Sequence, residues 1–185
     1  MSGYYMVCLD LRAKRCLVVG GGRVATEKVL GLLEAGADVA VVAPEIDDEL
    51  AALPVEAQRR RFTRSDVVDR FLVFAATDDR LVNRAVSAAA RERNVPCNVA
   101  DDPELCSFIL PAVVREGSIV AGVSTGGASP ALAQRLRSEI SDLIRPEHAE
   151  LADRLAALRP WAKQHFATYD ERRGFFQAFV AEALG

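Results

Sequence analysis

Histidine is scarce in this chain. Of 185 residues only His148 and His165 are histidines, and neither has a His, Cys or carboxylate neighbour at a spacing that would ligate a metal. The four cysteines, Cys8, Cys16, Cys97 and Cys106, are widely spaced and form no C-x-x-C pair. That sets aside a zinc ribbon or a dithiol redox motif, and in a reducing compartment such cysteines read as small core residues. An excess of charge of one sign is also missing. Lys and Arg number 23 against 26 Asp and Glu, a net charge of −3, which speaks against nucleic acid as the main partner. No apolar run approaches the length of a membrane span. The start, Met1-Ser2-Gly3-Tyr4-Tyr5, lacks the basic-then-apolar pattern of a signal peptide. A cytoplasmic protein is the expectation. There are no internal repeats and no low-complexity linker.

What the chain does have is apolar content and glycine in one telling place. Half of it is hydrophobic, enough for a real core in one ordinary domain or a domain with a small appendage. Its most informative stretch is Val18-Val19-Gly20-Gly21-Gly22-Arg23-Val24-Ala25. The apolar run 16–19 reads as a strand, and 23–35 reads as a helix with Gly36 just past its end. Gly20-x-Gly22-x-x-Ala25 at such a junction is the dinucleotide fingerprint with alanine in third place. Glycine lets a phosphate approach the backbone, and the following helix N-terminus offers N–H groups and the positive end of a dipole. The pattern points to a bound nicotinamide cofactor.

The first half continues as alternating units. Residues 38–42 form a buried-type strand ended by Pro44, and 45–53 can form a short helix. A weaker strand is expected at 55–62, a clear one at 72–76, an alanine-rich helix at 78–93 and a fifth strand at 95–98. Repeated βα units of this length predict an α/β fold with a doubly wound, Rossmann-type parallel sheet over 1–112. After Asp101-Asp102-Pro103 the pattern changes. Residues 107–114 and 118–124 read as a hairpin around Arg115-Glu116-Gly117. Two lone strands are marginal in water, so the pair either extends the sheet or meets a second copy across a dimer axis. Ser129 as N-cap and Pro130 at the first helical position start a helix that runs to about residue 144. From 147 onward the pattern is helical, with Leu151, Leu155 and Leu158 on one face, a break at Pro160, and an aromatic cluster of Trp161, Phe166, Tyr169, Phe175, Phe176 and Phe179. This predicts a hairpin–helix region at 113–146 and a small helical module at 147–185.

Several positions could carry chemistry. The acid that usually grips the ribose at the end of the second strand is replaced by Ala43-Pro44, with Glu45 following. Asp38 lies at the wrong end of that strand. Ribose recognition is therefore expected from backbone near Pro44 together with Glu45. No arginine cluster follows that strand, which favours NAD over NADP. In Ala75-Ala76-Thr77-Asp78-Asp79, one aspartate caps the next helix and Thr77 is a candidate cofactor contact. In Asn98-Val99-Ala100-Asp101-Asp102-Pro103, Asp102 fits an Asp-Pro turn, whereas Asp101 is not needed for it and is the better candidate for proton transfer or substrate orientation. Gly126-Gly127 is either an anion-binding turn or a sharp connection. Arg59-Arg60-Arg61 with Arg64 reads as a solvated edge or an attractor of polycarboxylates. His148 and His165 suit surface or packing roles.

Taken together, Val18-Val19-Gly20-Gly21-Gly22-x-Val24-Ala25 with Lys28, Ala75-Ala76-Thr77-Asp78-Asp79, Cys97-Asn98-Val99-x-Asp101, Ser107-Phe108-Ile109-Leu110-Pro111-Ala112 and Val123-Ser124-Thr125-Gly126-Gly127-Ala128-Ser129-Pro130 resemble one family in residues and order. The chain is similar to the precorrin-2 dehydrogenases, the dehydrogenase part of sirohaem synthases, over nearly its whole length. The similarity extends to the tail motif Phe166-Ala167-Thr168 with Glu171-Arg172-Arg173. With no methyltransferase domain following, it resembles the stand-alone form. The resemblance implies NAD-dependent oxidation of precorrin-2 to sirohydrochlorin, and in some members insertion of ferrous iron as well. It implies a homodimer with 113–146 as its dimerisation region. By matching positions, Arg23, Val24, Pro44 and Glu45 would contact NAD beside Gly20 and Gly22, Asp101 would be the essential aspartate, and Thr125 stands where some members carry a regulatory serine. Arg115 and Arg135 are candidate partners for substrate carboxylates. A non-catalytic nucleotide sensor is the reading from another class, and it would need neither Asp101 nor the Phe108-to-Pro111 block.

Overall fold

A computed structural model of the chain describes residues 3–184. Met1 and Ser2, read above for a leader pattern, and Gly185, the last residue of the expected helical module, lie outside them. Within the described residues the chain forms seven strands and six α-helices, divided between two compact units, 4–109 and 110–184 with Gly3.

The first unit contains β1 (Arg15–Val19), α1 (Arg23–Glu34), β2 (Asp38–Ala43), α2 (Asp48–Ala51), β3 (Glu56–Arg59), β4 (Leu72–Ala75), α3 (Arg80–Glu92) and β5 (Cys97–Val99), with single 3₁₀ turns at Arg64–Val67 and Pro103–Leu105. The strands make one parallel sheet in the order β3-β2-β1-β4-β5. Alternation of side chains along the strands divides the core in two. Cys16, Val18, Val39, Val41 and Phe74 pack with Val29 and Leu32 of α1 and Leu50 of α2. Leu17, Val19, Val42, Val73 and Ala75 pack on the other face with Val86, Ala89 and Ala90 of α3. Both faces are thus covered, which is why β1, β2 and β4 are continuous apolar runs. Each fully buried Val or Leu contributes about 1.5–3 kcal/mol.

The expected Rossmann-type parallel sheet is what forms, with shorter elements. α2 is one turn instead of 45–53, because the peptides of residues 45–47 are used against the glycine turn: Asp47 N–H donates to Gly21 O at 2.9 Å. β3 ends at Arg59 instead of 62, where Arg60 N–H turns back to Gln58 O at 2.9 Å. α3 starts at Arg80 because Asp79 caps it, its Oδ1 accepting from the N–H groups of Leu81 (2.8 Å) and Val82 (3.3 Å). α1 closes in a Schellman motif, with Gly36 at φ +77° and Ala37 N–H on Leu32 O at 3.0 Å.

The second unit contains β6 (Ala112–Glu116), β7 (Ile119–Val123), α4 (Pro130–Leu143), α5 (Pro146–His165) and α6 (Tyr169–Leu184). β6 and β7 pair antiparallel as a two-stranded sheet of their own, so the alternative in which they extend the larger sheet does not hold. The first strand starts at Ala112 instead of 107, because Ser107 and Phe108 bond back to Cys97 and Asn98, and it runs on through Arg115 and Glu116 of the expected turn. Glu116 pairs with Ile119, leaving Gly117-Ser118 as a two-residue loop, the length whose twist suits hairpin strands, with Gly117 at φ +53° in its first position. Ser129 caps α4 as expected, its hydroxyl accepting from Leu132 N–H at 3.2 Å. Pro160 does not break α5, which runs through it to His165. Packing outweighs the lost backbone bond there. Ala162 is fully buried, and Trp161 stacks on His165 (4.3 Å) and meets Phe166 (5.9 Å) and Phe175 (5.6 Å). Tyr169 stands apart from this cluster, exposed. Among the described residues no helix is long and apolar enough to cross a membrane.

Candidate active site

The chain order reverses between β1 and β4, and at such a switch point the crevice beyond the carboxyl ends of the strands takes ligands. The three glycines after β1 build that crevice in different ways. Gly20 has φ +134°, and a Cβ on it would lie 2.2 Å from Ala76 O, the residue that follows β4. A Cβ on Gly21 would lie 1.9 Å from Glu45 O. These two glycines therefore let the loops after β4 and β2 close on the loop after β1. Around Gly22 the space is open: the nearest atom to a Cβ there is Asp47 Oδ2 at 3.9 Å. Gly22 is the N-cap of α1 and no side chain among the described residues caps that end. A cradle bounded by a bare helix N-terminus, with glycine where the ligand must come nearest, fits a pyrophosphate.

The expected cofactor residues lie along this crevice. Arg23 opens α1, exposed and paired with Glu27 at 2.6 Å, and Val24 follows half-buried. Pro44 and Glu45 are exposed at the end of β2. Thr77 sits in the β4–α3 loop beside Gly20. Its hydroxyl is 2.8 Å from Asn83 Oδ1, and Asn83 Nδ2 donates to Thr77 O at 2.8 Å. The hydroxyl is therefore engaged within the loop, which stiffens it.

Sequence reasoning missed two residues here, Gly21 and Asp47, and the place of a third, Arg59. Gly21 was an anonymous position inside the fingerprint. Asp47 is the acid that borders Gly22, two residues beyond the expected Glu45. Arg59 comes from β3, whose register sets it opposite Ala43, and its Nη1 donates to Ile46 O at 2.7 Å. Parallel pairing thus brings an arginine beside the end of β2 that inspection of the β2–α2 segment alone could not show. The rest of the basic run is a solvated edge: Arg60 pairs with Asp66 at 2.6 Å.

Asp101 lies at the tip of the loop after β5, on the same edge of the sheet. The loop is anchored at its base. Ala100 N–H donates to Ala75 O (2.9 Å), Ser107 N–H to Cys97 O (2.8 Å) and Cys97 N–H to Ser107 Oγ (2.8 Å). Val99 N–H donates to Cys106 Sγ (3.1 Å), and Asn98 Nδ2 to Phe108 O (3.0 Å). The Cys97-Asn98-Val99 and Ser107-Phe108 blocks are therefore one hydrogen-bonded clasp. Burial pushes the Cys16 and Cys97 thiols up to about 11 and about 12, and Cys106 upward as well, so these sulfurs are inert packing and hydrogen-bonding groups. Asp101 itself is exposed with φ +57°, an uncommon conformation for a side-chain-bearing residue. Among the described residues its carboxylate has no partner. Its neighbour Asp102 is 3.6 Å from Arg80 and opens the following 3₁₀ turn, its backbone carbonyl accepting from Leu105 N–H at 3.2 Å. Strands lie about 4.8 Å apart, so the β5 end is about 10 Å from the glycine turn, on the side away from β2.

In the second unit, Gly126 and Gly127 have φ +63° and +86°. Thr125 Oγ1 accepts from Ser129 N–H and donates to Ser129 O, both at 3.1 Å, which ties the sharp connection shut. Arg135 pairs with Glu139 at 2.7 Å, and Arg115 is exposed on β6. His148 Nδ1 accepts from Arg145 N–H at the start of α5 (2.9 Å), and His165 stacks on Trp161. Among the described residues no group of three or more His, Cys, Asp or Glu could hold a metal ion.

A glycine turn closed by backbone from two neighbouring loops, at the switch point of a parallel sheet, defines a dinucleotide-binding protein of the Rossmann class. The chain belongs to the family described as "Putative NAD(P)-binding", whose model matches residues 7–112. A second model, "Sirohaem biosynthesis protein central", matches residues 122–143. Siroheme synthases of Nitrosomonas europaea and Methylobacillus flagellatus are each 43% identical to it over 182 and 183 residues, covering 96% and 97% of this chain. The chain spans only 38% and 39% of those relatives. The solved structure of SirC, precorrin-2 dehydrogenase, matches with a TM-score of 0.78 and 26% identity, covering 96% of this chain and 89% of that one.

Proposed function

We propose that this chain is an NAD-dependent dehydrogenase that oxidises precorrin-2 to sirohydrochlorin on the way to sirohaem. The observation that carries the reading is the unpartnered carboxylate of Asp101, held at positive φ by the 97–108 clasp on the same sheet edge as the nucleotide cradle. A nucleotide sensor would have no use for that arrangement. Gly22, Arg23 and Val24 receive the pyrophosphate at the turn that Gly20 closes, and Pro44 with Glu45 border the adenosine ribose beyond β2. The backbone at Thr77 lines the path toward β5. Bound NAD supplies the hydride acceptor. Asp101 orients the tetrapyrrole and takes the proton released as the hydride leaves a bridging carbon. The chief contribution of the protein is geometric, since hydride transfer needs a close, aligned approach more than side-chain chemistry.

The protein acts as a homodimer, with 113–146 as the dimerisation region and 147–185 as the helical module. A two-stranded sheet is marginal by itself, and Val120 on β7 is 47% exposed. Four cysteines outside any disulfide suit the cytoplasm. The deciding experiment is anaerobic: purified protein, precorrin-2 and NAD are mixed and sirohydrochlorin is followed by absorbance. NAD-dependent formation is expected, and no turnover overturns the reading. Adding ferrous ion afterwards reads chelation separately. Light scattering should give twice the chain mass, and Val120→Arg should shift it toward the monomer.

A further inference from the structure

The cleft between α5 and α6 carries chemistry that the nucleotide cradle does not use. Its volume is about 730 Å³, within the range of about 300–1,000 Å³ common for small-molecule sites. Arg159 and Lys163 line it from α5 and Arg172 and Arg173 from α6, with Tyr169 and Phe176 as flat apolar surface, and no acidic residue is in its lining among the described residues. The spacing explains the sorting of charge. Positions 169, 172, 173 and 176 share one face of α6, while Asp170, Glu171 and Glu182 point elsewhere, with Glu171 held at the helix start by Thr168. Arg159 and Lys163 are one turn apart on α5. The guanidinium of Arg172 is positioned by carbonyls, its Nη1 donating to Phe166 O at 2.9 Å and Ala167 O at 3.4 Å. Among the described residues Arg159, Lys163 and Arg173 enter no ion pair. Four cations thus face one cleft in a chain of net charge −3. Like charges gathered this way repel one another, and a polyanion relieves them.

We infer that this cleft binds the carboxylates of a flat, polycarboxylated macrocycle. A single phosphate would engage two of the four cations and leave the aromatic faces uncovered. A planar ring edged with carboxylates uses both walls and lies on Tyr169 and Phe176. The identity of the ligand as a tetrapyrrole rests on the proposed reaction, whereas the anion chemistry of the cleft does not.

The test uses the whole chain and uroporphyrin III, an air-stable polycarboxylate. Quenching of the sole tryptophan, Trp161, between Arg159 and Lys163 on α5, reports binding. Saturable quenching is expected. Combining Arg159→Glu, Lys163→Glu and Arg173→Glu should weaken it about tenfold or more, since opposed pairs become like-charge contacts, while calorimetric NAD affinity stays unchanged. Protoporphyrin, with two carboxylates, should bind the unaltered chain about tenfold more weakly. Unchanged uroporphyrin affinity in the variant overturns the inference. So does inorganic polyphosphate or a short single-stranded DNA that competes as well as uroporphyrin at equal charge. Precorrin-2 oxidation measured alongside separates the two readings. No turnover with charge-sensitive uroporphyrin binding refutes the reaction and leaves the cleft. Normal turnover with the same KM and uroporphyrin affinity in the variant refutes the cleft and leaves the reaction.

Discussion

Gly20, Gly21 and Gly22 are consecutive and do two different jobs. The first two admit neighbouring backbone, and the third leaves room for a ligand. Replacements should therefore diverge. Gly20→Ala forces a side chain into φ +134° and onto Ala76 O. It should cost about 3 kcal/mol or more of stability, seen as a lowered midpoint in urea. Gly22→Asp meets only open space, so the melting temperature should hold, while a carboxylate placed where a pyrophosphate belongs should abolish NAD binding by calorimetry. Asp101 permits a similar separation of fold from function. Because it already occupies φ +57°, Asp101→Gly should leave stability equal or slightly raised. Loss of the carboxylate should lower turnover about 10²-fold or more. Full activity in that variant would remove the assignment. Asp101 was legible as a candidate by elimination, since Asp102 satisfied the Asp-Pro turn. Asp47 and Arg59 were not legible, because each reaches the cradle through a loop fold or a strand register that local sequence does not encode.

Among the elements, those with chemical punctuation at their ends were the readable ones. Asp79, Ser129 and Gly36 cap or close their helices as their types predict, because a cap is a contact between residues two or three apart. The errors lie where packing across the chain competes with local preference. Pro160 reads as a breaker, yet α5 continues, with Trp161 packed on Phe175 of α6 and Ala162 fully buried. Pro160→Ala should restore a helical N–H and raise stability by about 1–3 kcal/mol, measured by thermal melting. The 3₁₀ turn at Arg64–Val67 depends on Asp66, which accepts from Thr63 N–H at 2.8 Å and from Arg60 at 2.6 and 2.8 Å. Burial raises the Asp66 pKa, but the bonds to Arg60 and Thr63 more than offset this and hold it below the ordinary 3.8. A carboxylate depressed on folding stabilises the native state above its unfolded pKa, and that stabilisation is lost as pH falls through the folded value. Asp66→Asn should accordingly cost about 1–2 kcal/mol at pH 7, and the difference from the unaltered protein should shrink as pH falls below 3.8 and vanish in stronger acid, below the folded value. A difference that persisted there would refute the linkage.

At the scale of the whole molecule, residues 4–109 hold the sheet, both core clusters and every residue of the nucleotide cradle. Expressed alone, this segment should fold cooperatively and bind NAD, as read by calorimetry and denaturant unfolding, because its apolar faces are buried within it. The sequence by itself determined the fold class and the NAD-binding character of its first half. Both follow from short-range patterns: apolar runs of strand length, helical spacing, and glycines at a strand-to-helix junction. Tertiary structure alone decided the rest. It set β3 beside β2, bringing Arg59 to the cradle, and made β6 and β7 a separate sheet. It also carried α5 through Pro160 and gathered four cations from two helices into one cleft. In each case the deciding energy comes from residues distant in sequence, where burial and pairing outweigh the preference of any local segment.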